Sequence, residues 1–212
     1  MKGYIVLDDF YKNPDLIRED ALRSEFTKVH PKYPGIDSNT ALDHAEAHQR
    51  IRSLIQKETV NAPYSGFFRL LTQTEHYTEG HGIHIDKYDI AVIVYLAHPG
   101  DHRKVGTRLV RHRESGLSSF YRIKTDPALN PAWRSLDNQE IMKRIVADME
   151  RNDASLWETI DEIEFKYNRA VIMRGNIFHK LSNGFGQGLK DGRLTQNFFL
   201  NLKRNAQPAG RV

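Results

Sequence analysis

Residues 90–96 read Ile-Ala-Val-Ile-Val-Tyr-Leu, a nearly continuous apolar run. A strand with one wet face alternates apolar and polar side chains. An unbroken run has both faces buried, so this segment is expected at the centre of a sheet with a layer on each side. Further strands are expected around it. Residues 3–7 are a short β-prone run, 67–73 form a core strand, 162–167 alternate and turn through Asn168-Arg169 into 170–173, and 193–202 alternate again. Helices are fewer. Turn chemistry from Asp8 to Pro14 leads into residues 15–24, and 41–59 place Ile51, Leu54 and Ile55 on one face. Residues 137–151 carry Ile141, Ile145, Val146 and Met149 as an apolar stripe, with Asp137 as N-cap and Glu140 three residues on. At 212 residues the chain suits one domain, 1–212, with a substantial core.

The chemistry concentrates in Gly80-His81-Gly82-Ile83-His84-Ile85-Asp86. In an extended strand His84 and Asp86 project from the same face, so both can reach one metal ion. A histidine from a neighbouring strand would complete two histidines and one carboxylate on one face of an octahedron, the arrangement of non-haem Fe(II) oxygenases. His179 is the best candidate, because it ends an apolar run, 171–179, broken by a Gly175-Asn176 turn. In the last strand, counting by twos puts Arg193, Thr195 and Asn197 on one face. An arginine on a buried face demands an anion. Its fork suits a carboxylate, to which the Thr195 hydroxyl can add a hydrogen bond.

Taken in order, His84-x-Asp86, His179 and Arg193-x-Thr195 resemble the Fe(II)/2-oxoglutarate-dependent dioxygenase superfamily, nearest to its prolyl-4-hydroxylase-like branch. Tyr77-x-x-Gly80, the strand at 90–96, Gly106-Thr107 and Arg169-Ala170-Val171-Ile172 fall in the same order, and the likeness covers roughly residues 67–202. The resemblance implies a mainly β fold with flanking helices. The barrel it implies is a double-stranded β-helix (jelly-roll, cupin-like) with N-terminal helices and a lid-like helical insertion at about 116–163. It implies Fe(II) held by His84, Asp86 and His179, and 2-oxoglutarate as cosubstrate with its far carboxylate on Arg193 and Thr195. The reaction so implied consumes oxygen, releases succinate and carbon dioxide, and hydroxylates an unactivated C–H bond. Asp86 favours hydroxylation, since related halogenases carry a small residue at that ligand position. Tyr77 is either a hydroxyl contact to the cosubstrate or a packed aromatic. Two departures are visible: the span 116–163 is longer than the usual connection, and Arg193 follows His179 by more residues than is common.

Other polar groups carry weaker expectations. His76, His81, Glu75 and Glu79 crowd the ligand segment, but His81 lies three residues from His84 and faces away in an extended strand. His44 and His48 share a helical face without an accompanying metal motif, which reads as a solvated face. The basic run at 102–113 is either a surface for an anionic substrate, phosphate or acidic carrier, or a charged strand edge defended against pairing. Trp133 and Trp157 either line the lid or fill the insertion's own core. The loop at 182–192 has no Lys-Ser/Thr pair opening a helix, so a phosphate cradle is not expected.

The absence of cysteine excludes disulfides, zinc-thiolate sites and thiol nucleophiles. A formal charge of +4 is too small to indicate nucleic acid, and no aromatic and basic groove is evident. With no signal-like N-terminus and no stretch of bilayer-spanning length, a cytoplasmic protein without membrane contact is expected. The expected partner is a small-molecule substrate, such as an amino acid or natural-product intermediate, acidic or carrier-bound. A protein prolyl residue, an alkylated nucleic acid and a non-catalytic binding barrel are the alternatives.

Overall fold

The computed structural model describes residues 3–28, 34–75, 80–98 and 105–203. Its larger sheet orders β1 (Tyr4–Leu7), β9 (Ala170–Arg174), β6 (Ile90–Tyr95), β11 (Arg193–Leu202), β5 (Phe67–Leu71), β3 (Ile36–Ser38) and β2 (Phe26–Thr27) side by side, with β4 (Thr59–Asn61) also on β11. Its smaller sheet orders β10 (His179–Leu181), β7 (Val105–His112) and β8 (Trp157–Glu164), and a one-residue antiparallel bridge adds His84 beside His179. From β5 onward the chain alternates between the sheets: β5 large, His84 small, β6 large, β7 and β8 small, β9 large, β10 small, β11 large. That alternation, with every strand pair antiparallel, is a double-stranded β-helix, the jelly roll that the sequence resemblance implied.

The apolar run occupies the expected position. All six residues of β6 are buried, between β9 and β11 in the sheet and between a helical layer and the smaller sheet. Register sorts the two faces. Thr195 lies opposite both Arg69 on β5 and Tyr95 on β6, so Arg193, Thr195, Asn197, Arg69 and Tyr95 share a face. This face looks toward the smaller sheet: Arg193 Nη2 donates to the Gly106 carbonyl at 2.7 Å, and the Tyr95 and Thr107 hydroxyls are 2.8 Å apart. The opposite face meets α1 (Pro14–Arg23) and α2 (Ala45–Ile55) through Phe10, Tyr11, Ile17, Ala21, Ala47 and Ile51. Gln196 is buried on that side with its amide satisfied: Oε1 accepts from the Tyr11 hydroxyl at 2.7 Å, and Nε2 donates to the Leu42 and Gly66 carbonyls.

Helix α2 is shorter than periodicity suggests. It stops where Gln56 adopts a left-handed conformation (φ 53°). His48 is not on a solvated face: its side chain is 13% exposed, contacts Asp43, and meets the Phe198 ring edge-on at 5.6 Å. The strand at 162–167 in fact begins at Trp157 and ends at Glu164.

The long segment between β7 and β8 builds a second core. Leu117, Ile123, Leu129, Trp133, Trp157 and the Ile141, Ile145 and Met149 stripe of α3 (Asn138–Glu150) pack against Ile83, Val110 and Phe178. These are the residues that alternate with His84, Leu109 and His179, so the segment's buried side chains lie against the outer face of the smaller sheet. Asp137 caps α3 as expected, accepting from the Glu140 amide at 2.8 Å. Val146 is exposed, because its place next to Ile145 turns it off the stripe. Both tryptophans fill this core. The arginines of β7 pair across the ladder, Arg108 with Glu162 at 2.6 Å and Arg111 with Glu158 at 3.7 Å. Residues 102–104 of the basic run lie outside the described residues.

Candidate metal centre

The two histidines face each other because their backbones do. His84 N donates to His179 O at 3.0 Å and His179 N to His84 O at 3.1 Å, a hydrogen-bonded antiparallel pair that sets both side chains on one face, with Cα atoms roughly 5.5 Å apart. Their rings stand 4.3 Å apart at 52°. Two residues on, Asp86 N donates to Gly175 O at 2.7 Å and returns its carboxylate to the same face, where Oδ2 lies 3.5 Å from His179 Nε2. One donor atom from each of His84, Asp86 and His179 falls within 4.8 Å of the others. Gly175 makes the approach possible, since a Cβ there would meet the Tyr88 carbonyl oxygen at 1.9 Å.

Each imidazole is oriented by the chain that carries it. His84 Nδ1 is 2.8 Å from Gly82 O and His179 Nδ1 is 2.9 Å from Ile177 O. A carbonyl only accepts, so both Nδ1 atoms carry the proton and both lone pairs sit on Nε2. A second bond of this kind fixes tautomer and ring angle at metal-ligating histidines. His84 is pushed down to about 4 by burial and then by the neighbouring His179, against the pull of Asp86. A neutral imidazole is the form that binds a metal. Two Nε2 lone pairs and one carboxylate, in a chain without thiolates, fit a mid-series divalent ion such as Fe(II) and supply only three ligands of an octahedron.

Arg193 and Thr195, each 1% exposed, lie on the same interior. The Arg193 guanidinium is walled by Phe165 at 5.5 Å and Tyr95 at 6.0 Å from the ring centroids, and Tyr95 stacks on Phe165 at 4.3 Å. Burial pushes the Tyr95 hydroxyl up, with the Arg193 charge opposing, so it stays a neutral donor and acceptor. Gly106 is a necessity of this packing, because a Cβ there would fall 2.4 Å from the Tyr95 hydroxyl. Tyr77 lies outside the described residues, as do His76 and Glu79. His81 is exposed.

Sequence reading assigned no role to Arg69, Asp37 or Asn197 and took Tyr95 only as part of the buried central strand. All four share the interior face. Period-two counting through residues 67–73 could have found Arg69, a charged residue in a core strand.

A second histidine and carboxylate cluster, His112, Glu114 and Asp148, also brings three donor atoms within 4.8 Å. There both imidazole nitrogens are engaged, Nδ1 with Ser115 and Nε2 with Asp148 at 3.2 Å, and the ring sits between Trp133 and Trp157. It ties α3 to β7.

Solved structures with a similar course include a prolyl-4-hydroxylase of Pseudomonas putida (12% identity, 94% of this chain and 92% of that one, TM-score 0.45). Another is a 2OG-Fe(II) oxygenase family oxidoreductase of Burkholderia pseudomallei (11%, 94% and 84%, TM-score 0.47). A third is HygX of Streptomyces hygroscopicus with nickel, 2-oxoglutarate and hygromycin B bound (9%, 94% and 82%, TM-score 0.47). No curated protein matches the sequence. A family model does match, over residues 2–200, and the chain belongs to that family, the Family of unknown function (DUF6445).

Proposed function

We propose that this protein is an Fe(II)- and 2-oxoglutarate-dependent oxygenase that hydroxylates an unactivated C–H bond of a small molecule, free or tethered to a carrier, and releases succinate and carbon dioxide. The observation that carries the reading is the pair of facing histidines, each with Nδ1 bonded to its own strand, sharing Asp86 and opening on an interior that also holds Arg193 and Thr195. When bound, the iron supplies oxygen activation coupled to decarboxylation of the cosubstrate. The chain's own part is placement. His84, Asp86 and His179 hold the ion, and the Asp86 carboxylate offsets part of its charge. Arg193, braced by the Gly106 carbonyl, and Thr195 take the distal carboxylate of 2-oxoglutarate and so aim its other end at the metal. Tyr95 and Phe165 keep water from the guanidinium, which strengthens its hold on an anion.

A small substrate is favoured over nucleic acid because Arg108 and Arg111 are occupied by Glu162 and Glu158. The test is stoichiometric: protein reconstituted with Fe(II) should convert 2-oxoglutarate to succinate under air, and His179→Ala should not. Equal succinate from both proteins contradicts the proposal.

A further inference from the structure

The interior holds a second cation that the proposed chemistry does not use. Arg69 stands opposite Thr195 across the β5–β11 ladder, two residues along and one strand over from Arg193, or roughly 8 Å between Cα atoms. Its neighbour on the other side is Asp37 of β3. Arg69 Nε lies 3.2 Å from Asp37 Oδ1, without the alignment of a hydrogen bond, and the two side chains are only 19% and 17% exposed. Among the described residues no acceptor takes a hydrogen bond from the rest of this guanidinium. One row beyond, Asn197 shares the face, and its Oδ1 is buried without a hydrogen-bond partner among the described residues.

A half-buried ion pair held by one edge is a poor stabiliser, because desolvation offsets most of its attraction. The same pair makes a good receptor: the carboxylate fixes the guanidinium's direction and leaves its outer edge for a second oxyanion. Resting on the reading above, in which Arg193 serves the cosubstrate, we infer that Arg69, oriented by Asp37, anchors an oxyanion of the primary substrate, with Asn197 Oδ1 accepting from a neighbouring N–H or O–H of the same molecule. The substrate is therefore an acid, carrying a carboxylate or a phosphate within reach of the metal. The inference also accounts for an interior with two arginines: each meets its own anion, one on the cosubstrate and one on the molecule to be oxidised.

The experiment uses reconstituted protein and three sets of probes: free α-amino acids, their methyl esters, and O-phosphoserine with O-phosphothreonine. Succinate formation above the substrate-free background is read for each. A free acid should raise turnover where its ester does not, and a response confined to the phosphorylated pair would identify phosphate as the anion. In Arg69→Met the half-saturating concentration of the stimulating acid should rise by about 30-fold or more. Arg69→Lys, which keeps the charge and loses the fork, should recover part of that. The half-saturation for 2-oxoglutarate, read anaerobically from the visible band of its iron complex, should stay within about twofold of wild type in both variants. Equal stimulation by acid and ester, no stimulation by any acid, or a matching loss of 2-oxoglutarate affinity in Arg69→Met overturns the inference while leaving the oxygenase reading intact. A wild-type protein that forms no band at all overturns both.

Discussion

Among the described residues, two clusters of histidine and carboxylate have nearly the same compactness, and they differ in what their nitrogens do. At His84, Asp86 and His179 the backbone takes both Nδ1 protons, and two Nε2 lone pairs converge with a carboxylate on one space. At His112, Glu114 and Asp148 there is one histidine, it is fully buried, and both its nitrogens are bonded within the fold. Proximity of donors is common to both. What separates the candidate metal centre from the structural clasp is the direction in which the ring lone pairs are aimed, and that is decided by the hydrogen bonds behind the rings.

The contrast can be broken most sharply at His179. His179→Ala should lower Fe(II) affinity by more than about 100-fold, beyond the range seen when only a supporting partner is lost. His112→Ala should leave affinity within about twofold, a difference that equilibrium dialysis against Fe(II) or Mn(II) resolves. Next in size is Arg193→Met, expected to raise the half-saturating 2-oxoglutarate concentration by about 30-fold or more while metal affinity holds, since it strips a buried charge from an anion site. The clasp gives the reverse pattern. His112→Ala should cost about 2–4 kcal/mol of stability by denaturant titration, combining a cavity between two tryptophans with the loss of the ring's bonds to Asp148 and Ser115.

The smallest effect is a pH dependence. Burial holds His112 below its unfolded value of 6.5, against the pull of Asp148. Protonation therefore favours the unfolded chain, so this contribution is complete above about pH 6.5 and is lost as pH falls further. Melting temperature should drop with acid in the wild type and drop less in His112→Gln. At the other cluster, on the proposed reading, acid should instead weaken metal binding, as protons would compete with the ion for Nε2.

How much of this was legible beforehand follows from what periodicity encodes. Counting by twos placed His84 with Asp86 and Arg193 with Thr195, and an unbroken apolar run located β6, because side-chain direction in a strand is local. The direct pairing of His84 with His179 is not local. It depends on a bridge between chain segments nearly a hundred residues apart, and on Gly175 letting the 86–88 segment come close. The insertion was visible as an amphipathic helix, but its stripe says only that one face is buried. That this face meets Ile83, Val110 and Phe178, on the outer face of the sheet whose inner side carries the histidines, is a tertiary fact. His112 shows the limit most clearly. It sits in a run of arginines that reads as solvated surface, yet it is 0% exposed, because alternation within β7 turns its neighbours outward and His112 into the second core. Arg69 was passed over for the opposite reason: it stands in a strand read only as core, and its pairing depends on β3 bringing Asp37 alongside.

The most direct test of the central claim is anaerobic addition of Fe(II) and then 2-oxoglutarate to metal-free protein, following the weak visible charge-transfer band of the chelated cosubstrate in wild type, His179→Ala, Arg193→Ala and His112→Ala. The account predicts a band in wild type and in His112→Ala, none in His179→Ala, and a band in Arg193→Ala only at much higher 2-oxoglutarate. A folded wild-type protein that binds Fe(II) and shows no band with 2-oxoglutarate, or a band that survives His179→Ala, would contradict it.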